Sequence, residues 1–198
     1  MNHVKGAPGE SKRDILRTAA RLFQERGYDA TSMQDIASAL NFSKAALYHH
    51  FESKEEILVQ IMSYGLDAVE ERVMKAVEEV ADAQERLRAC LARHVEMVTR
   101  GHDREVLVVL HENRTLPPSE AARLINARKK QYLLFLSRLI GEAQAARGVA
   151  HPAVQPQVAA FAISGMINWM YQWYRPEGNL TEEEITRQYT ALIFQGAF

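Results

Sequence analysis

Lys44, Ala45, Tyr48 and His49 place a cation, a small side chain, a phenol and an imidazole within two turns of one another. If the segment is helical, Leu47 and Phe51 lie one turn apart on the inward side and these four spread over the opposite arc. Such an arc offers a cation and donors for phosphate oxygens, an aromatic for thymine methyls, and small residues that permit close approach. That is the chemistry of contact with a duplex rather than of bond-making. Other reactive residue types give less. Cys90 and His94 stand one turn apart, but no third group or oxyanion loop accompanies them, so a buried small residue beside a satisfied histidine is the better reading. His94, His102, His111 and Glu112 lack the paired spacing of a metal site. No catalytic and no metal-ligating residue is assigned.

The arc needs a scaffold, and the flanking residues supply one. Met33, Ile36, Ala37 and Leu40 recur at i, i+3, i+4 and i+7, one apolar face of a short helix. Ser32 precedes them and Asp35 follows three residues later, the reciprocal pair that caps a helix start. Asn41-Phe42-Ser43 makes the break: Asn tolerates the left-handed backbone that ends a helix, and Ser43 can cap the next one, about 44–50. Two short helices joined by a three-residue turn form a helix-turn-helix, whose second helix is sized for the major groove. Ser53 and Glu56 repeat the capping pattern, with the Lys54 ammonium in the first turn within reach of a phosphate. An ordinary helical hairpin with a solvated face fits the same pattern.

The stretch Thr31-x3-Asp35-Ile36-Ala37-x3-Asn41-Phe42-Ser43-x3-Leu47-Tyr48-x-His50-Phe51-x-Ser53-Lys54-Glu55 resembles the DNA-binding signature of the TetR family of transcriptional regulators. Asn41 stands where that family usually has Gly, and Ala46 where it often has Gly or Thr; both bear on which operator is read. The resemblance implies a DNA-facing set of Thr31, Ser32, Gln34, Ser43, Lys44, Ala45, Ala46, Tyr48, His49, His50 and Lys54. Its specific motif covers Ser11 to about Leu58, and beyond that only the helical plan is shared.

The chain has 198 residues, 47% of them hydrophobic and 25% charged, which suits a globular protein of one or two domains. No apolar run of about 18 residues suggests a membrane span. The first 14 residues hold no hydrophobic core of a secretion signal, and a lone Cys90 fits a reducing cytoplasm. The net charge of −1 does not advertise nucleic acid; the first 50 residues carry seven Lys/Arg against five Asp/Glu. Helical patterns fill the rest. A first helix, about 11–26, is capped by Ser11 and Asp14 and stopped by Gly27, with Tyr28 tucking back. A single helix is predicted from Lys54 to about Val80, and another from Asp82 to about Arg100. Residues 106–110 are read as a short helix, and Pro117-Pro118 mark the strongest interior break. The next long helix, about 119–147, turns Leu124, Ile125, Leu133, Leu136, Leu139 and Ile140 inward. Residues 157–173 are apolar almost all round, and a last helix capped by Thr181 and Glu184 has another broad stripe.

The expected fold is therefore all-α: a three-helix DNA-binding domain over residues 1–53, and a helical effector-binding and dimerisation domain over 54–198, about nine helices altogether. The last two helices are expected to form a four-helix dimer interface, which would set two reading helices about 34–36 Å apart. Met97, Met166, Met170 and aromatics suit a cavity for a hydrophobic effector, and would equally fill a closed core. Asn168-Trp169-Met170-Tyr171-Gln172-Trp173-Tyr174-Arg175-Pro176-x-Gly178-x-Leu180 is similar to a segment of TetR-family members that sense acyl-CoA thioesters. That similarity implies no bound cofactor but an acyl-CoA effector. Trp169 and Trp173 would lie against its acyl or adenine part and Arg114, Arg128 and Arg175 near its phosphates. Met97, Tyr132, Met166 and Asn168 complete the set. Each of those arginines also fits a surface or dimer salt bridge. The function implied is a cytoplasmic homodimeric repressor released from a palindromic operator. The same fold would serve an activator or a drug-induced efflux repressor; an all-helical enzyme and a purely structural helical dimer are the other classes.

Overall fold

A computed structural model describes residues 12–100, 107, 109, 116–148 and 152–196, and all regular structure among them is helical. Helix α1 (Lys12–Arg26) buries Ile15, Ala19, Leu22 and Phe23 on one face. Gly27, at φ +86°, ends it as only glycine does without strain, and Tyr28 folds back edge-on to Phe23 at 5.1 Å. Then come α2 (Met33–Ala39), α3 (Lys44–His50) and α4 (Lys54–Val69). After α4 the chain goes through a π-turn (Glu70–Met74) and a 3₁₀ turn (Lys75–Val77). Helices α5 (Ala83–Thr99), α6 (Glu120–Ala146), α7 (Pro156–Asn168), the single turn α8 (Met170–Trp173) and α9 (Glu182–Gly196) follow.

By packing the chain divides into two units, residues 1–65 with 104–125 and residues 66–103 with 126–198. Ile57, Leu58, Ile61 and Met62 of α4, in the first of these, are fully buried. In the second, α5 is the central element, packed against α7, α8, α9 and the irregular segment after α4. Its face of Leu87, Cys90, Leu91, His94, Val95 and Val98 is buried.

Three expectations are corrected. The helix predicted from Lys54 to Val80 is α-helical only to Val69, and the π and 3₁₀ turns loosen and then tighten it. The 157–173 helix breaks at Trp169, whose N–H still reaches the Gly165 carbonyl at 3.0 Å. Leu124, expected inward, is 59% exposed, while Ile125, Leu136, Leu139 and Ile140 are buried as expected. Of the run 106–110, Leu107 and Val109 are described, both helical and buried. The Ser11 cap, His102, His111, Glu112 and Arg114 lie outside the described residues. No helix among those described is long and apolar enough to cross a membrane.

Candidate functional site

The turn between α2 and α3 is fixed by local hydrogen bonds. Ser32 accepts from the Asp35 N–H (3.1 Å) while the Asp35 carboxylate accepts from the Ser32 N–H (2.8 Å) and hydroxyl (2.5 Å). Those two bonds hold the Asp35 carboxyl below its usual pKa. At the other end of α2 the Phe42 N–H donates to the Ala37 carbonyl (2.8 Å) and the Asn41 N–H to that of Ser38 (3.1 Å). This is a complete Schellman closure, with Asn41 at φ +57° in the left-handed position. Ser43 then accepts from the Ala46 N–H at 3.1 Å and starts α3.

On α3, Leu47 is fully buried with Phe51 just beyond it. Lys44, Ala45, Tyr48 and His49 are exposed, and the Lys44 ammonium lies over the Tyr48 ring at 5.8 Å. Ser32, Gln34 and Ser43 are exposed too, Gln34 donating to Ser38 at 3.2 Å. Ala46 and His50 are half-buried, and the His50 ring stacks on Phe42. Two members of the expected DNA-facing set do not join this surface. Thr31 is 1% exposed, its hydroxyl donating to the Gly27 carbonyl at 2.8 Å, so it ties α2 to the end of α1. The Lys54 ammonium donates to the carbonyls of Tyr28 (2.7 Å) and Thr31 (2.8 Å), with the Tyr28 ring 4.2 Å away. Two of its three donors are therefore taken by the chain's own backbone.

The second unit has a polar chain in its core. Asn168 donates its amide N–H to Ser164 (3.2 Å), leaving Oδ1 to accept from His94 Nε2 (2.9 Å). His94 Nδ1 then accepts from the Tyr132 hydroxyl at 2.6 Å. Burial lowers the His94 pKa to about 4, keeping the ring neutral, and pushes the Cys90 thiol beside Tyr132 up to about 12. With both imidazole nitrogens occupied and the thiol protonated, Cys90 and His94 form no nucleophile–base pair. Among the described residues no three His, Cys, Asp or Glu side chains come together to hold a metal.

Two cavities flank the irregular segment after α4. One, of about 400 Å³, lies between it and α5 and is lined by Glu71, Arg72, Ala76, Arg93, Glu96, Met97 and Arg100. The other, of about 280 Å³, has Leu66, Val69, Met74 and Tyr132 for apolar walls, with Glu70, Lys75, Glu78, Arg128 and Gln131 around them. The expected effector residues thus part company: Met97 lines the first cavity and Arg128 and Tyr132 the second, while Asn168 joins the polar chain. Met166 is half-buried on α7. Trp169 (61% exposed) and Trp173 (41%) lie on the surface, lining neither cavity. Arg175 donates to the carbonyls of Tyr174 (2.9 Å) and, within α8, Gln172 (3.3 Å), and Arg128 is paired with Asp67 at 2.6 Å. Sequence spacing did not single out Arg72, Arg93 and Arg100. The signal present was Arg93, Met97 and Arg100 at i, i+4 and i+7, one basic stripe along α5.

Known proteins share this fold. Residues 15–61 match the family described as bacterial regulatory proteins, tetR family, and residues 80–197 the tetracyclin repressor-like C-terminal domain. The chain is 44% identical to AibR, solved in complex with isovaleryl coenzyme A and operator DNA, with a TM-score of 0.87 over 96% of this chain and all of that one. It is 38% identical to PfmR, a TetR family transcriptional regulator from Thermus thermophilus, with a TM-score of 0.79 over 92% of this chain and 97% of that one. It is also 28% identical to the HTH-type transcriptional repressor KstR2 of Mycobacterium tuberculosis, over 99% of this chain and 97% of the relative. The fold, the helix-turn-helix and these matches together make the chain a member of the tetR family of bacterial regulatory proteins.

Proposed function

We propose that the protein is a cytoplasmic homodimeric repressor that leaves its operator when it binds an acyl-CoA thioester. The observation that carries this reading is the 44% identity, across 96% of the chain, to a regulator solved with both isovaleryl coenzyme A and operator DNA. A repressor, KstR2, is related over nearly the whole length as well. The exposed arc of α3 supports the DNA half: Lys44 and His49 suit phosphates, and Ala45 and Tyr48 suit base edges and thymine methyls. Ser32, Gln34 and Ser43 stand at the N-terminal ends of α2 and α3, where side chains and free N–H groups favour phosphate.

The mechanism is a population shift. The ligand-free dimer holds two α3 helices at the spacing of successive major grooves. An effector that prefers a splayed arrangement acts through the segment that continues α4 and spoils that spacing. A coupling of about 1–3 kcal/mol weakens operator affinity by about 5- to 150-fold, and operator DNA weakens effector binding by the same factor. The test is an electrophoretic shift on the DNA upstream of the protein's own gene, titrated with acyl-CoAs, free acids and cationic drugs. Release by one acyl-CoA class is expected. A shift that ignores every acyl-CoA yet responds to a drug would overturn the effector assignment, and no shift at all would overturn the operator.

A further inference from the structure

We propose that the cleft between α5 and the irregular segment after α4 is an anion site that takes the phosphate groups of the effector, through Arg72, Arg93 and Arg100. This deepens the acyl-CoA reading above and rests on it for the identity of the ligand. Arg93 and Met97 of α5 and Arg100, the residue that caps its end, line one side of the cleft, and Arg72 and Ala76 line the other. Three arginines and two carboxylates thus line one cleft, with Ala76 and Met97 as its apolar residues, around a space of about 400 Å³.

Two carboxylates share the cleft, and one of them pairs with a site arginine. Glu71 is paired with Lys75 at 2.5 Å, and Glu96 with Arg100 at 3.1 Å; Arg100 also reaches Glu182 at 3.4 Å. A phosphate has geometry that a guanidinium matches with two parallel N–H donors, and it can compete for Arg100 because exposed ion pairs are weak. The arginines named from sequence are placed less well. Arg175 is folded onto its own loop, and Arg128 is held by Asp67 and Glu70. The location also matters. Glu71, Arg72 and Ala76 face this cleft, whereas Glu70, Met74 and Lys75 line the second cavity, beside Leu66, Val69 and Tyr132. One short irregular segment therefore serves both sites, and it is the direct continuation of α4. A ligand with an acyl end and a phosphorylated end has two places to hold that segment.

The test uses isothermal titration of the full chain and of Arg72→Ala, Arg93→Ala and the double variant. The probes are isovaleryl-CoA, adenosine 3′,5′-bisphosphate, inorganic phosphate and the phosphate-free N-acetylcysteamine thioester of isovaleric acid. Both arginines are exposed, so the variants keep the fold, which circular dichroism checks. Each single variant is expected to weaken isovaleryl-CoA and the bisphosphate by about tenfold or more. The phosphate-free thioester should bind unchanged, and added salt should weaken only the phosphorylated probes. Isovaleryl-CoA and bisphosphate binding that the double variant leaves intact would overturn the site while sparing the effector reading. Bisphosphate binding lost in the variants, with neither thioester bound by the native chain, would keep the site and overturn the acyl-CoA reading. Inorganic phosphate binding as tightly as the bisphosphate would assign the site to free phosphate and overturn its link to the effector. No binding of any phosphorylated probe overturns the site outright.

Discussion

Lys54 and Lys44 carry the same charge at the edges of one motif, and their surroundings give them different work. Lys54 donates to two backbone carbonyls of the loop between α1 and α2, so replacing it leaves those acceptors without their donor. Lys54→Met is expected to cost about 1–3 kcal/mol of stability, read as a lower denaturant midpoint. Lys44→Ala and Tyr48→Ala, on the exposed arc, should leave that midpoint where it is and weaken operator binding. Lys44→Ala should also flatten the salt dependence by about one ion. Reversal of this pattern would exchange the roles of the two lysines. His94 gives a second prediction at this scale. Its folded pKa is depressed to about 4 from 6.5, so between those values the unfolded chain binds the extra proton. Stability therefore rises with pH across that window, is fully present above it, and is lost as pH falls through it. The loss from this group between pH 8 and pH 5 is about 2 kcal/mol. His94→Gln should remove that part of the slope in denaturation series at several pH values. An unchanged slope would mean that the ring is charged or hydrated in the folded state.

At the scale of elements, what was legible in the sequence was what is local. The caps at Ser32, Ser43, Asp82 and Thr181 form where their residue types stand, because each is a bond over two or three residues. Asn41 occupies the left-handed position expected of it, and it supplies a prediction. Asn41→Gly should be neutral or slightly stabilising, whereas Asn41→Ala should cost about 1 kcal/mol and Asn41→Val more, since a Cβ, above all a branched one, is penalised at φ +57°. Thermal melts of the three variants would show it, and equal midpoints would mean that the turn relaxes out of that conformation. Less legible were features decided by distant residues. The π-turn at Glu70–Met74 leaves no mark in an apolar spacing that stays helical, since it depends on how α5 packs against it. The positions of Thr31 and Lys54 depend on where α1 ends. Spacing showed Trp169 and Trp173 as apolar but could not show the helix break at Trp169 or that both lie at the surface. The effector residues suffered most, because a cavity is made by residues far apart in the chain, here 71–76 with 93–100.

For the molecule as a whole, the surface left by folding one chain is the best guide to assembly. Val158 (57% exposed), Phe161 (56%) and Trp169 (61%) follow one helical face along α7 and its end, and Leu192 on α9 is 58% exposed. Large apolar side chains in such numbers on two elements close in sequence are costly in water, at about 25 cal/mol per Å² left uncovered. A second copy, related by a two-fold axis, would cover the α7 and α9 faces with their own equivalents in a four-helix bundle. Dimerisation is also what makes a palindromic site readable, because binding of the first α3 raises the effective concentration of the second. The double variant Phe161→Glu, Leu192→Glu should therefore sediment as a monomer with unchanged helicity, since both side chains are exposed in the folded chain. Its operator affinity should fall by about 10²- to 10⁴-fold through loss of that linkage alone, with α3 untouched. Isovaleryl-CoA binding should survive in the variant, as both cavities lie within residues 66–132 of one chain. A variant that remains dimeric would move the interface elsewhere, and a monomer that keeps full operator affinity would leave the paired reading of two grooves without support.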